Sequence, residues 1–307
     1  MDLAKRIRRV KYGLDTPGEF VLAAIDKACL SVFGKCKWLS VRAAASRLSK
    51  KYRTKDCYQI KDARLPLLDE GNESLFFTLI FEDTFASYCY CEDSYAERFV
   101  DLFDSFGNEG LYGLVNDKVN VTVEPGDVVI DAGSWIGDFA AYASARCKNL
   151  GGVKAVYAFE PTPDTFEYLK KTALLNENII PVNKGLSDEN TFRNIHISVE
   201  NTGANSMREK DTEENSRTES VETVTLDSFV RENKLERVDF IKADIEGFER
   251  HMLQGAQETL RKFAPKLALC TYHLPDDPQV LENLIKQANP NYNVVQKRKK
   301  LYASVPK

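Results

Sequence analysis

A chain of 307 residues with 43% apolar side chains has room for one sizeable α/β domain and an extension. Its formal net charge of −4 argues against bulk nucleic-acid binding. Its seven cysteines form no C-x-x-C pair, which points to reduced thiols in a cytoplasmic protein rather than a disulfide framework or a zinc site. No apolar run approaches a membrane span, the start Met1-Asp2-Leu3-Ala4-Lys5 lacks the apolar core of a signal peptide, and no internal repeat is visible.

Residues 1–55 are basic and carry two helical patterns, Gly18 to Phe33 and Lys37 to Lys50. The Lys5-Arg6-Ile7-Arg8-Arg9 run reads as a solvated face rather than a docking patch for lipid or a partner. Ser74 to Phe81 reads as a strand, and Asp93 to Phe106 as an amphipathic helix ended by Gly107-Asn108-Glu109-Gly110. We therefore expect an extension, partly helical, over 1–110 and a second domain over 111–307. The turn Glu124-Pro125-Gly126-Asp127 delivers the chain into that domain's first core strand.

That strand, Val128-Val129-Ile130, is rich in β-branched residues and stops at Asp131. Asp131-Ala132-Gly133-Ser134-Trp135-Ile136-Gly137 follows, then a run of small and apolar residues suited to a helix. Strand, tight turn and helix make the first half of a βαβ nucleotide site, with Asp131 at the carboxyl end where open sheets bind ligands. Gly133 lets backbone approach a ligand closely. The second strand, Val156 to Phe159, ends in Glu160-Pro161, and a carboxylate there accepts hydrogen bonds from ribose hydroxyls. Trp135 occupies the place of the middle glycine that a pyrophosphate needs, so the turn favours S-adenosylmethionine over NAD.

Pro163 to Leu175 reads as a helix with Phe166, Leu169, Leu174 and Leu175 inward, and Ile179 to Val182 as a third strand. It ends near Ser187-Asp188, polar groups placed to meet an adenine edge. Phe192 to Val199 alternates as a strand, and the polar stretch 200–222 reads as a mobile loop. Val238 to Ala243 is an apolar strand ending in Asp244 and Glu246, Phe248 to Phe263 a helix, and Leu267 to His273 a further strand. A last helix, Asp276 to Ala288, and two strands complete a β/α alternation that implies a parallel sheet with helices on both faces. Asp131, Glu160, Asp244 and His273 then converge on one sheet edge.

An oxygen acceptor of a methyl group loses a proton, and among the three histidines His273 best suits the base. Asp244 and Glu246 carry three readings: contact to the donor's amino group, orientation of the acceptor, or ligation of a divalent cation such as Mg²⁺. Glu246 beside Gly247 also suits a helix cap.

Several segments together resemble the FkbM family of S-adenosylmethionine-dependent methyltransferases. They are Val123 to Gly133, Ala158-Phe159-Glu160-Pro161, Thr225-Leu226-Asp227, Asp239 to Glu249, Leu253-x-Gly255 and Tyr272-His273, covering roughly 110–305. The resemblance implies a Rossmann-like class I methyltransferase sheet whose last strand is antiparallel. It implies O-methylation of a sugar or secondary-metabolite hydroxyl. By that likeness Asp131 and Gly133 line the methionine part of the donor, Glu160 takes the ribose, and Ser187 with Asp188 lies near adenine. Ser134-Trp135 stands where the family has Ala-Asn, and no fixed catalytic residue follows from the family.

The reading is thus an O-methyltransferase acting on a small molecule or glycan, with no nucleic-acid partner. A protein or peptide methyltransferase, an NAD-binding oxidoreductase and a binding module that has lost its chemistry are the competing classes.

Overall fold

The computed structural model describes residues 18, 39–60, 62–73, 76–77, 112–146, 148–198, 205–208, 217–297 and 299–306. The chain divides into two compact units, Met1–Gln59 with Leu67–Asp104 and Ile60–Pro66 with Ser105–Lys307. The predicted helices Gly18 to Phe33 and Asp93 to Phe106 lie outside the described residues, apart from Gly18 itself.

In the first unit, α1 (Leu39–Tyr52) matches the expected second helix. Its Ser49 hydroxyl donates to Glu73 Oε1 at 2.7 Å, and Arg53 pairs with Glu73 Oε2 at 2.9 Å. Tyr58 of β1 (Cys57–Ile60) donates to the same carboxylate and meets Phe77 edge-on at 5.3 Å. Of the run 74–81, expected as a strand, only Phe76 and Phe77 are among the described residues, and neither is in a strand. Phe76 and Phe77 are helical and buried, after a helical turn over 70–73. Asp69 Oδ1 accepts from Asn72 N at 2.9 Å, the local bond by which an aspartate starts a helix. A continuous apolar run reads equally well as strand or buried helix.

In the second unit, β2 (Ala63–Pro66) is followed by the short ladder of β3 (Leu114–Val115) and β4 (Asn120–Val121). The main sheet then builds from β5 (Val128–Ala132), α2 (Asp138–Arg146), β6 (Ala155–Phe159), α3 (Pro163–Leu175) and β7 (Ile179–Val182). A small sheet follows: β8 (Gly185–Leu186), β9 (Thr191–Ile197) and β10 (Arg217–Val224), in the order β8-β10-β9. The chain returns through α4 (Leu226–Glu232), β11 (Phe240–Ala243), α5 (Glu249–Gln254), α6 (Gln257–Phe263) and β12 (Lys266–Cys270). It ends with α7 (Asp277–Ala288), β13 (Asn293–Lys297) and β14 (Lys300–Ser304).

The seven strands of the main sheet run β13-β14-β12-β11-β5-β6-β7. β12, β11, β5, β6 and β7 pair in parallel, and β14 pairs antiparallel with both β12 and β13. This is the Rossmann-like α/β sheet with an antiparallel final strand that the sequence led us to expect. Every residue of β5 and β11 is buried, as helices on both faces require. Ala140, Ala141 and Ala143 let α2 lie close to the sheet, and Phe139 stacks on Phe240 at 5.9 Å.

Four other boundaries differ from expectation. Leu174 is 87% exposed, and Leu169 with Thr165 and Thr172 forms the buried stripe of α3 instead. The polar stretch 200–222 is not loop throughout, because Arg217–Val224 is a strand laddered against β9. Alternation there was hidden by the polar residues that face solvent. Phe248 to Phe263 is two short helices rather than one, parted at Gly255-Ala256. The fourth is β12, which ends at Cys270, so His273 sits in the loop beyond it.

Gly255 marks that break for a reason. A Cβ there would stand 2.1 Å from the carbonyl oxygen of Ser187, a backbone atom that cannot swing aside. Gly255→Ala is therefore expected to destabilise the protein by about 1–3 kcal/mol, measured by urea denaturation. A variant as stable as the parent would show that this contact is not close in solution.

Candidate active site

The carboxyl ends of β5, β6 and β11 open onto a solvent-accessible cleft. Gly133, Trp135, Glu160 and Pro161 line it on the side of β5 and β6, and Asp244 and Glu246 on the side of β11. Leu186, Ile195, Asn205 and Met207 complete the wall.

The glycine turn is shaped by its neighbours. Gly133 and Ser134 both donate backbone N–H groups to Phe159 O, at 3.1 and 2.9 Å. Gly133 has φ +71°, and a Cβ on it would meet Asp244 O at 2.0 Å. Trp135 also holds a left-handed backbone, at φ +48°. Glu160 then closes the turn: Oε2 accepts from Trp135 N at 3.0 Å and Oε1 from Thr162 N at 2.9 Å. Burial, opposed by these hydrogen bonds, pushes the Glu160 carboxyl up to about 7.

Other predicted residues lie beside the cleft rather than in its wall. Asp131 is fully buried within β5, its Oδ1 3.1 Å from Lys242 Nζ on the neighbouring strand. The contact is an ion pair and not an aligned hydrogen bond, since the ammonium donates to Gly133 O at 2.5 Å and Ala132 O at 3.3 Å. Ser134 is buried, and its hydroxyl donates to Asp131 O at 3.0 Å. Gly137 faces α3, where a Cβ would meet Leu169 and Thr172 below 3 Å, so its small size serves packing between helices. Ser187 donates to Asp188 Oδ1 at 2.8 Å. Asp188 also receives Arg193 at 2.9 Å and faces His251 Nδ1 at 3.1 Å.

The other side of the cleft is a polar cluster around Asp244. Tyr112 and Tyr272 donate phenolic hydroxyls to its two oxygens at 2.6 and 2.9 Å, and His273 Nε2 lies 3.4 Å away. Burial alone would raise the Asp244 carboxyl. The His273 hydrogen bond, the charges of Lys242 and Lys300 and the Tyr112 hydroxyl outweigh it, and hold the group well below the usual range. Burial alone would lower His273. Its bond to Asp244 and the charges of Glu249, Glu246 and Asp244 instead raise it to about 9. At neutral pH His273 is therefore an imidazolium amid carboxylates. That environment does not match the base poised near neutrality expected from the sequence. Glu246 adopts φ +53° and turns its Oε2 to 3.4 Å from His273 Nδ1, so it serves this cluster rather than a helix cap. The start of α5 has no side-chain cap; Glu249 Oε1 accepts instead from Ile245 N, in the loop before it, at 2.9 Å.

Sequence reasoning missed Tyr112, Lys242, Asn205, Met207 and Glu249. Only Lys242 left a signal, a lone charge inside the apolar run Phe240-Ile241-Lys242-Ala243. Tyr112 lies far from Asp244 in the chain, and no spacing could pair them.

The methyltransferase FkbM domain matches residues 131–292, more than half of the chain. The chain belongs to this family. Its segment of 166 residues is 28% identical to the hexuronic acid methyltransferase AglP of Haloferax volcanii, a match over 54% of this chain and 64% of AglP. The match thus leaves over a third of that relative uncovered. The methyltransferase FkbM of Methylobacillus flagellatus is similar in structure at 17% identity and TM-score 0.45, over 85% of this chain and 58% of that one. Fibrillarin of Aeropyrum pernix, solved with natively bound S-adenosyl-L-methionine, is similar at 14% identity and TM-score 0.37, over 64% and 71% of the two chains. Among the described residues, no helix is long and apolar enough to cross a membrane.

The raised Glu160 carboxyl gives a signed expectation. A folded-state value near 7, above the unfolded 4.5, favours folding below about pH 4.5, and that advantage is lost as pH rises through 7. Between pH 5 and 8 the parent should lose stability relative to Glu160→Gln, by on the order of 3 kcal/mol at full shift. Parallel stability curves for the two proteins in denaturant melts across that range would show an unperturbed carboxyl.

Proposed function

We propose that the chain is an S-adenosylmethionine-dependent O-methyltransferase acting on a hydroxyl of a sugar or another small hydroxylated molecule. The observation that carries this is Glu160, held by two backbone N–H groups in the wall of a cleft that begins at the Gly133 turn. Its remaining lone pairs suit the two hydroxyls of a ribose. Trp135 bears an indole where a phosphate-binding turn needs a bare backbone, which suits an adenosyl sulfonium better than a dinucleotide. Gly133 brings its backbone to the methionine portion, and Pro161 and Leu186 offer apolar surface to the base.

Methyl transfer from a sulfonium is an in-line displacement: the acceptor oxygen forms the new C–O bond as the S–C bond breaks, and the hydroxyl proton leaves. Asp244 lines the cleft and stays ionised, so it can accept a hydrogen bond from the acceptor hydroxyl and align its lone pair. His273 lies against Asp244, and Glu246 against His273; we assign His273 to positioning and charge balance at neutral pH rather than to proton abstraction. Asp131 and Ser134 act one layer below, by fixing the turn. Ser187 and Asp188 support the wall beside Leu186.

AglP is by name a hexuronic acid methyltransferase, and this supports a sugar as the acceptor. The net charge of −4 does not favour a nucleic-acid substrate. The buried free thiols Cys57 and Cys270 suit a reducing, cytoplasmic setting.

Glu160→Ala is expected to weaken S-adenosylmethionine binding by about 1–3 kcal/mol through lost hydrogen bonds, read by calorimetric titration. Donor affinity unchanged in this variant, or tight NAD binding with none of S-adenosylmethionine, would overturn the assignment.

A further inference from the structure

Behind the cleft wall, three residues from three segments bring ligand-type atoms together: Asp244 after β11, Glu249 at the start of α5 and His273 after β12. One such atom from each lies within 4.8 Å of the other two. His273 Nε2 stands 3.4 Å from Asp244 Oδ1 and 3.6 Å from Glu249 Oε1. Atoms bound to one divalent cation at about 2.1 Å stand about 3–4 Å apart, so a small inward shift closes the set.

Two further observations point to a ligand. Glu249 is completely buried, and its Oε2 has no hydrogen-bond partner. A buried carboxylate oxygen without a donor is costly unless it is protonated or something cationic meets it. His273 also presents its other ring nitrogen, Nδ1, to Glu246 at 3.4 Å. A carboxylate on the far nitrogen is the arrangement that fixes the tautomer and direction of a metal-ligating imidazole. Glu246 reaches that position from a left-handed backbone, at φ +53°, which a β-carbon makes unfavourable.

We propose that Asp244, Glu249 and His273 form a binding site for a divalent cation, which displaces the Nε2 proton of His273 to solvent, with Glu246 orienting the histidine. Two carboxylate oxygens and one imidazole nitrogen are a hard-to-borderline set, matched to Mn²⁺ above Mg²⁺. Asp244 also lines the cleft, so a cation here adjoins the place assigned to the acceptor and would present its remaining positions to vicinal hydroxyls or a sugar carboxylate. This extends the proposed function to a metal-assisted grip on an oxygen-rich acceptor and rests on that reading for its role, though not for the binding itself.

The test is Mn²⁺ titration of the full chain after chelator stripping, read by loss of the free-ion paramagnetic resonance signal, with S-adenosylmethionine binding and thermal melting recorded on the same samples. One Mn²⁺ per chain is expected. Affinity should fall at least tenfold in Glu249→Gln and His273→Asn, and ten- to a hundredfold in Glu246→Gln, which leaves all three ligands in place. No saturable Mn²⁺ binding in the parent, or equal binding in well-folded variants, overturns the site. Donor binding without Mn²⁺ binding would overturn this inference alone. Mn²⁺ binding without donor binding would support the site and overturn the proposed function.

Discussion

The site depends on one close approach, that of the Gly133 turn to the end of β11. The turn passes so near the Asp244 carbonyl that no side chain fits between them. Asp244 N donates to Ala132 O at 3.2 Å, so the two strand ends are stitched together by backbone as well. Lys242 holds the contact from within the sheet. Its ammonium is buried, donates to Gly133 O and pairs with Asp131, whose charge helps raise the Lys242 value against the opposing effect of burial. A buried charge costs several kcal/mol unless it is paired and hydrogen-bonded. Lys242 meets both conditions, whereas Asp131 meets only the first, since neither of its carboxylate oxygens has a hydrogen-bond partner.

From that contact the two walls follow. On one side the turn is fastened to β6 through Phe159 and Glu160, which puts a carboxylate in the cleft wall. On the other, β11 delivers Asp244 into a knot of Tyr112, Tyr272 and His273. The two acids live in opposite environments. Glu160 is buried with backbone donors and rises, whereas Asp244 is surrounded by cations and hydroxyls and falls. The proposed function assigns Glu160 to a neutral diol and Asp244, which stays charged, to the acceptor hydroxyl.

The parallel core was legible because its strands are short β-branched runs that each end in a polar residue, as at Ile130-Asp131 and Phe159-Glu160. That pattern located Gly133, Glu160 and Asp244 in the cleft wall before any coordinates. It could not tell a residue in the wall from one just beneath it. Asp131 and Ser134 face inward because β5 continues two residues past the apolar run, to Ala132. Gly137 looked like part of the ligand turn, and only the packing of Leu169 and Thr172 reveals its role. The partners of Asp244 were hidden because Tyr112 and Tyr272 approach it from distant segments. Likewise, the behaviour of His273 depends on three carboxylates that only the fold assembles. Phe76 and Phe77, expected in a strand, are helical for a different reason: an unbroken apolar run does not encode its own period.

The buried Lys242–Asp131 pair holds the glycine turn in the shape that the proposed function assigns to the donor. The most direct test is calorimetric titration of S-adenosylmethionine into the double variant Asp131→Asn, Lys242→Met, which removes both charges and so leaves no unpaired ion in the core. This variant is expected to melt cooperatively but to bind S-adenosylmethionine at least tenfold more weakly, because Gly133 O has lost its hydrogen-bond donor. Donor affinity equal to that of the parent would contradict it.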